Sequence, residues 1–167
     1  LTDLSNIRVP PKYTKNDNFL KFVVAFRDSG DGKRKMQLDV FIEQILTIFK
    51  NRTRVYINII EQEGDRDDYD KLPKFLQQAD SNMAKFNLGR LKNIGFHISK
   101  TDSEGENNVY HVLSDLDLLP SHGLIKDYLK YPKNNEVIHL GNLGTRYNTG
   151  KNKTFFGGVI STNDNAF

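Results

Sequence analysis

Residues Phe19–Phe26 read F-L-K-F-V-V-A-F, a β-prone and mostly apolar run, and residues 55–60 read V-Y-I-N-I-I. Between them the period of the apolar positions changes. From Arg34 onward Leu38, Phe41, Ile42, Ile45 and Phe49 fall on one face of a helix, with Lys50 and Arg52 near its end, where the helix dipole favours cations. Strand, helix of this length and second strand are the parts of a crossover connection, so the two strands are expected to lie parallel and side by side. This places the chain in the α/β class. The strand-to-helix loop R-D-S-G-D-G, residues 27–32, has the glycines and aspartates of a tight polar turn.

The remaining segments extend this pattern. Residues 1–18 carry Pro10, Pro11 and many polar side chains and are expected to form an extended arm ahead of a domain covering residues 19–167. After the second strand and its E-Q-E-G-D end, residues 66–85 are charge-rich, contain Pro73 and read as an insertion. A second amphipathic helix is expected over residues 82–99, with Phe86, Leu91, Ile94 and Ile98 towards the core and Gly89 and Gly95 weakening it. A polar loop over residues 101–108 leads to a strand over residues 109–113. A short helix near residues 124–129 and a strand near residues 137–140 come next. Residues 141–153 hold Gly141, Gly144 and Gly150 among Arg146, Lys151 and Lys153, a basic loop whose two readings are an ordinary connection or a phosphate-closing segment. The last strand, residues 154–161, is interrupted by Gly157 and Gly158, and glycine inside a strand commonly marks the close approach of a ligand or of another backbone.

At 167 residues the chain suits one sizeable core. No apolar run approaches the roughly 20 residues that cross a bilayer, so no membrane insertion is expected within this chain. The absence of cysteine excludes disulfides, thiolate nucleophiles and cysteine-ligated zinc. A net charge of +3 suits an anionic ligand and equally suits a plain solvated surface. A nucleic-acid surface is disfavoured, because aromatic and basic residues do not alternate on any one strand face. The first residue is Leu1 and not methionine, which reads as a piece of something longer.

The chemistry concentrates at residues 114–120, S-D-L-D-L-L-P, where the strand Y-H-V-L ends in two carboxylates one residue apart. Carboxylate oxygens are hard ligands suited to Mg²⁺ or Mn²⁺, and a diphosphate needs such an ion to neutralise it. Asp115 and Asp117 are therefore a candidate metal and nucleotide-sugar site. The alternative is that they cap the turn before Leu118 and Pro120. In an open sheet the carboxyl ends of the strands face one crevice, where Arg27 and Asp28, Glu61 and Gln62, and Asp115 to Asp117 are expected to meet. Of the four histidines, His111 reads as a satisfied core residue, His97 and His122 as surface, and His139 as a strand-end residue that can face the same crevice.

Five stretches carry a family resemblance. Val24-Ala25-Phe26-Arg27-Asp28 is similar to I-P-F-R-N, and Ile60-Glu61-Gln62 with Gly64-Asp65 to I-x-Q-x-G-D. Residues 86–96, F-N-L-G-R-L-K-N-I-G-F, are similar to F-N-R-A-K-L-L-N-V-G-F, residues 114–120 to S-D-V-D-L-I-P, and residues 156–159 to F-G-G-V. In this order, and covering about residues 23–167 apart from the insertion, they resemble the β-1,4-galactosyltransferase family. The resemblance implies a GT-A fold, Rossmann-like, with a mixed and mostly parallel central sheet flanked by helices. It implies a metal-assisted, inverting transfer of galactose or a related hexose from a UDP-sugar to an acceptor hydroxyl on a glycan or glycosylated acceptor, with Mn²⁺ or Mg²⁺ as cofactor. Phe26, Arg27, Asp28, Phe86 and Leu116 would border the nucleotide, Asp115 the ribose or the metal shell, and Asp117 the metal. Arg146, or Lys151 and Lys153 after it, would approach the phosphates, and Gly157 and Gly158 would let the sugar lie against the backbone. Two family arginines are replaced by Ser29 and Leu88, so two nucleotide contacts are either absent or supplied otherwise, with Arg90 as the candidate. The family's W-G-W-G-G-E-D-D stretch, its catalytic base and its metal-binding histidine are not found up to Phe167, and the chain has no tryptophan. The base is therefore expected beyond Phe167, and a non-catalytic nucleotide-sugar-binding module or inactive fragment is the alternative reading. The lack of cysteine favours the cytoplasm, while the resemblance also admits the Golgi lumen.

Overall fold

The computed structural model describes residues 7–8, 18–28, 30–62, 86–140 and 158–165. In chain order these form β1 (Ile7–Arg8), β2 (Phe19–Phe26), α1 (Lys33–Phe49), β3 (Arg54–Glu61), α2 (Leu88–Thr101) and β4 (Val109–Ser114). A 3-10 turn (His122–Leu124) running into α3 (Ile125–Tyr128), then β5 (Val137–His139) and β6 (Ile160–Asn163), complete the set. The strands make one six-stranded sheet in the order β1-β3-β2-β4-β6-β5. The fold is α/β, a mixed sheet flanked by helices and compatible with a Rossmann-like arrangement.

The crossover expectation holds. β2 and β3 pair in parallel from Phe19 opposite Arg54 to Phe26 opposite Glu61, and β4 pairs in parallel on the other side of β2. Against the expectation of a mostly parallel sheet, only this centre is parallel, because β1 pairs antiparallel to β3, and β6 antiparallel to both β4 and β5. β2 is buried almost throughout, which is why its sequence reads as a continuous apolar run without alternation.

Side chains alternate across the sheet, so neighbouring β2 residues serve different helices. Leu20, Phe22, Val24 and Phe26 face the main core with Phe41, Ile45, Ile48 and Phe49 of α1 and Tyr128 of α3. Val23 faces the opposite way, in a cluster with Phe96 of α2 and Leu113 of β4. α1 and α2 therefore cover opposite faces, and the chain changes sides of β2 between β3 and β4. That crossing leaves a crevice at the carboxyl ends of β2 and β4, the place where open α/β sheets bind ligands.

Three expectations are corrected. The second helix starts at Leu88, with Asn87 as N-cap accepting the Arg90 N–H at 3.0 Å, and buries Leu91, Gly95, Phe96 and Ser99. Ile94 and Ile98 face outward at 39% and 44% exposure, and Phe86 lies ahead of the helix. The reason is Gly95: a Cβ there would collide with Val23 and come within 2.7 Å of Ile60 Cγ1, so the helix approaches the sheet along its glycine side. Of the expected last strand, residues 154–157 lie outside the described residues; the described strand spans Ile160–Asn163, and Gly158 ahead of it has a φ of +77°, incompatible with extended pairing. Of the arm, Ile7–Arg8, an edge strand, and Asn18 are described, and the expected insertion and basic loop lie outside the described residues.

Candidate functional site

A cleft of about 410 Å³ opens at the crevice, lined by Ala25, Phe26, Arg27, Asp28, Arg34, Phe86, Leu88, Asp115, Leu116 and Asp117. Three segments build it. The end of β2 delivers Phe26, whose side chain is held in the main core, and then Arg27 and Asp28 on the turn that leaves the sheet. That turn is tied by its own polar groups: Asp28 Oδ1 accepts the Gly30 N–H at 3.3 Å, and Asp31 Oδ1 accepts the Lys33 N–H at 3.0 Å at the start of α1. The approach to α2 delivers Phe86 and Leu88. The Arg27 guanidinium lies over the Phe86 ring, 5.6 Å from its centroid, so a planar cation and an aromatic face meet at one wall of the cleft.

The end of β4 delivers the acidic tip. Its turn is closed by backbone, the Leu118 N–H donating to the Asp115 carbonyl at 3.2 Å. Leu116 is buried in the main core and anchors the tip from below. Asp115 is bound by Lys92 of α2, whose Nζ lies 2.6 Å from Oδ1 and also donates to the Gly158 carbonyl at 3.2 Å. The Asp115 N–H donates to the same carbonyl at 3.1 Å. Gly158 thus stands directly behind Asp115, where a Cβ would come within 2.6 Å of Leu118 Cδ1. Asp117 is exposed in the cleft.

Of the residues expected to bind a nucleotide, Phe26, Arg27, Asp28, Phe86, Asp115, Leu116 and Asp117 line this one cleft, and Gly158 backs it. Arg90 does not line it. Two residues along a helix turn a side chain by about 200°, so Leu88 and Arg90 leave α2 on different sides. Arg34, in the first turn of α1, is the cation found there instead. Gln62 does not line the cleft either: its Oε1 accepts the Asn87 N–H at 3.0 Å and so pins the start of α2 to the end of β3. Arg146, Lys151, Lys153 and Gly157 lie outside the described residues. His139 ends β5, separated from β4 by β6, and is not among the lining residues.

Sequence reasoning missed Lys92 and Arg34. Lys92 sits beside core-facing Leu91 in the F-N-L-G-R-L-K-N-I-G-F stretch, and its neighbour across the sheet edge is 23 positions away, so no local pattern reports the pair.

For a metal the donor set is small. Among the described residues no group of three or more histidines or carboxylates is arranged to hold an ion. One exposed carboxylate and one lysine-bound carboxylate suit Mg²⁺ or Mn²⁺ only in the manner of sites that use one or two carboxylates and take the remaining oxygens from substrate phosphates and water.

A second cluster carries chemistry on paper. Ser99 Oγ lies 2.9 Å from His111 Nδ1, and His111 Nε2 lies 2.6 Å from Asp164 Oδ1, the residue types of a nucleophilic triad. Ser99 and His111 are both 0% exposed, so no substrate reaches them. The cluster is a buried brace, in line with the reading of His111 as a satisfied core residue.

No protein-family model matches the chain, and a search of the curated proteins returned no match. Among the described residues, no helix is long and apolar enough to cross a membrane.

Proposed function

We propose that this chain binds a UDP-sugar in the cleft at the ends of β2 and β4, and that it belongs to a metal-assisted, inverting hexosyltransferase of the GT-A type, with galactose or a related hexose as the transferred sugar. One observation carries the reading: residues singled out from three separate stretches of sequence, at positions 26–28, 86 and 115–117, line a single cleft at the switch point of an α/β sheet. The resemblance of those stretches to the β-1,4-galactosyltransferases supports the choice of ligand.

The cleft's own residues suit the parts of such a donor. Phe86 with Arg27 offers a flat, cationic wall to a nucleobase, and Arg27 and Arg34 offer charge to a diphosphate. Asp117 would hold Mn²⁺ or Mg²⁺, which supplies neutralisation of the diphosphate as it leaves. In the transfer, an acceptor hydroxyl oxygen bonds to the anomeric carbon, the bond from that carbon to the diphosphate oxygen breaks, and the hydroxyl proton passes to a general base.

A second reading, donor binding without turnover, is favoured by the roles already filled. The carboxylates lining the cleft are Asp28, Asp115 and Asp117; Asp28 closes the turn and Asp115 is bound by Lys92. Galactose transfer to an N-acetylglucosamine acceptor separates the two readings.

The test of the shared core is calorimetry with UDP in Mn²⁺ and in EDTA. Binding is expected only with the ion, and Arg27→Ala is expected to weaken it by roughly 1.5–3 kcal/mol, the worth of a charged hydrogen bond, without lowering the melting temperature. Equal affinity in both buffers would remove the metal from the site, and no affinity in either would remove the nucleotide.

A further inference from the structure

The aromatic wall of the cleft is supplied by Phe86, which lies ahead of α2 and belongs to no helix or strand. Its place is set through the residue after it. The Asn87 N–H donates to Gln62 Oε1 at 3.0 Å, while Asn87 Oδ1 accepts the Arg90 N–H at 3.0 Å and caps α2. Because the peptide bond is planar, fixing the Asn87 N–H also fixes the Phe86 carbonyl carbon and Cα, from which the ring is carried. Gln62 is anchored in turn, its own N–H donating to the Phe26 carbonyl at 2.9 Å. One residue just past β3 therefore ties the backbone beside Arg27 to the backbone beside Phe86. Those are the two side chains that meet on the cleft wall, the guanidinium 5.6 Å from the ring centroid. Gln62 itself is not among the lining residues.

We infer that Gln62 is a positioning residue for the nucleobase. It acts through Phe86: its side-chain oxygen sets the spacing between the Arg27 turn and the aromatic ring, so that a flat base meets both at once. A base that stacks gains most when the ring is already in place, because no ordering of the Phe86 backbone is then left to the binding step. The effect is confined to the base end of the ligand. The diphosphate end meets Arg34 and the acidic tip, which come from α1 and β4. This role presupposes the donor-binding reading above.

The experiment titrates the whole chain with UDP and with inorganic pyrophosphate, which has no base, both in saturating Mn²⁺. Gln62→Met keeps the length of the side chain and removes the acceptor. It is expected to bind UDP about fivefold more weakly, the worth of one hydrogen bond, and pyrophosphate within about twofold of wild type. Gln62→Asn keeps an amide one carbon too short to reach Asn87; it should behave like Gln62→Met, and it serves if that variant does not fold. Gln62→Glu retains an acceptor oxygen at the same reach and should stay within about twofold of wild type for UDP. In a Phe86→Ala background, Gln62→Met should weaken UDP by no more than about a further twofold, since the ring it places is gone. This cycle decides by itself if pyrophosphate binds too weakly to titrate. A purely structural glutamine would weaken UDP and pyrophosphate alike, or keep its full effect without Phe86, and either result overturns the inference. So does unchanged UDP affinity in Gln62→Met and Gln62→Asn, or a loss in Gln62→Glu as large as theirs. If wild type itself does not bind UDP, the donor reading fails and takes this inference with it; UDP binding in wild type with any of the contrary results above sinks the inference alone.

Discussion

The two faces of the sheet are built on different principles. Against α1 the core is apolar and aromatic: Phe22 of β2 lies 6.1 Å from Phe41, 5.8 Å from Phe49 and 6.1 Å from Tyr128, edge-on, tilted and stacked in turn. Against α2, on the same strand one residue earlier, lies Lys21 at 1% exposure, its ammonium donating to the Ser99 carbonyl at 2.9 Å. Ser103 Oγ donates to that carbonyl at 2.6 Å, and Ser99 leads through His111 to Asp164. Apolar contact is non-directional and tolerates small shifts, whereas this chain of hydrogen bonds is satisfied in one register of helix, strand and C-terminal turn only. The α2 face is also the face from which Lys92 reaches the cleft. The helix that carries Lys92 to Asp115 is thus held by directional bonds, while the helix that supplies bulk is held by area.

The contrast can be broken from the apolar side first. Phe22→Ala removes the ring at the centre of three aromatic contacts and should cost about 3–5 kcal/mol, read as a shift in the denaturant midpoint with an unchanged slope. A loss under about 1 kcal/mol would mean that the α1 face is not the main store of stability.

On the polar side, His111→Phe keeps the ring shape and its 4.9 Å edge contact with Phe96 but leaves Ser99 Oγ and Asp164 without their partner. A cost of about 2–3 kcal/mol is expected from the stranded polar groups. If the variant is as stable as wild type, the network is dispensable filling and the contrast between the faces collapses.

A smaller effect appears with pH. The hydrogen bond from His111, then the charges of His111, Lys100 and Lys21, hold the Asp164 carboxyl below the usual carboxylate range against a contrary push from burial. Because the folded value lies below the unfolded value of about 3.9, this contribution is complete above that pH and is lost as pH falls through the folded value. Wild type should therefore lose melting temperature more steeply than Asp164→Asn below about pH 4, and the two slopes should coincide at neutral pH. Equal acid slopes would show that Asp164 has no special hold on its proton.

The smallest change concerns the outward side of α2. Ile98→Lys replaces a side chain 44% exposed and should alter stability by no more than about 0.5 kcal/mol, measured by thermal melting. A cost of several times that would restore Ile98 to the core, as the sequence periodicity suggests.

These residues also show how far the sequence could be read. The strand Phe19–Phe26 is recovered residue for residue, since a strand buried along its length leaves an unbroken apolar run. β3 is recovered to within a residue at each end, and the buried face of α1 from its spacing, lacking only Ile48. α2 is recovered as a helix with Leu91 correctly inward but Ile94 and Ile98 wrongly so. Apolar spacing at 91, 94 and 98 is a sound helical stripe, but the surface that packs runs through Gly95 and Ser99, residues that carry no hydrophobic signal. Gly95 buries against Val23 of β2 and Ile60 of β3, and Ser99 against Lys21 of β2 and His111 of β4, partners that the helix sequence does not contain.

The candidate site divides in the same way. Local sequence determined which residue types end β2 and β4, because a strand stops where polar and turn-forming residues begin, and so Arg27, Asp28, Asp115 and Asp117 could be named from the chain alone. It also determined the parallel pairing of β2 with β3, since a helix-length connection permits little else. Only the tertiary structure decided that Arg34 and not Arg90 shares the cleft, that Gln62 serves α2 instead, and that Asp115 is bound by Lys92 while Asp117 is left exposed. Those outcomes depend on where two helices on opposite faces of the sheet come to rest. That is set by packing summed over many distant contacts, and no window of neighbouring residues contains it.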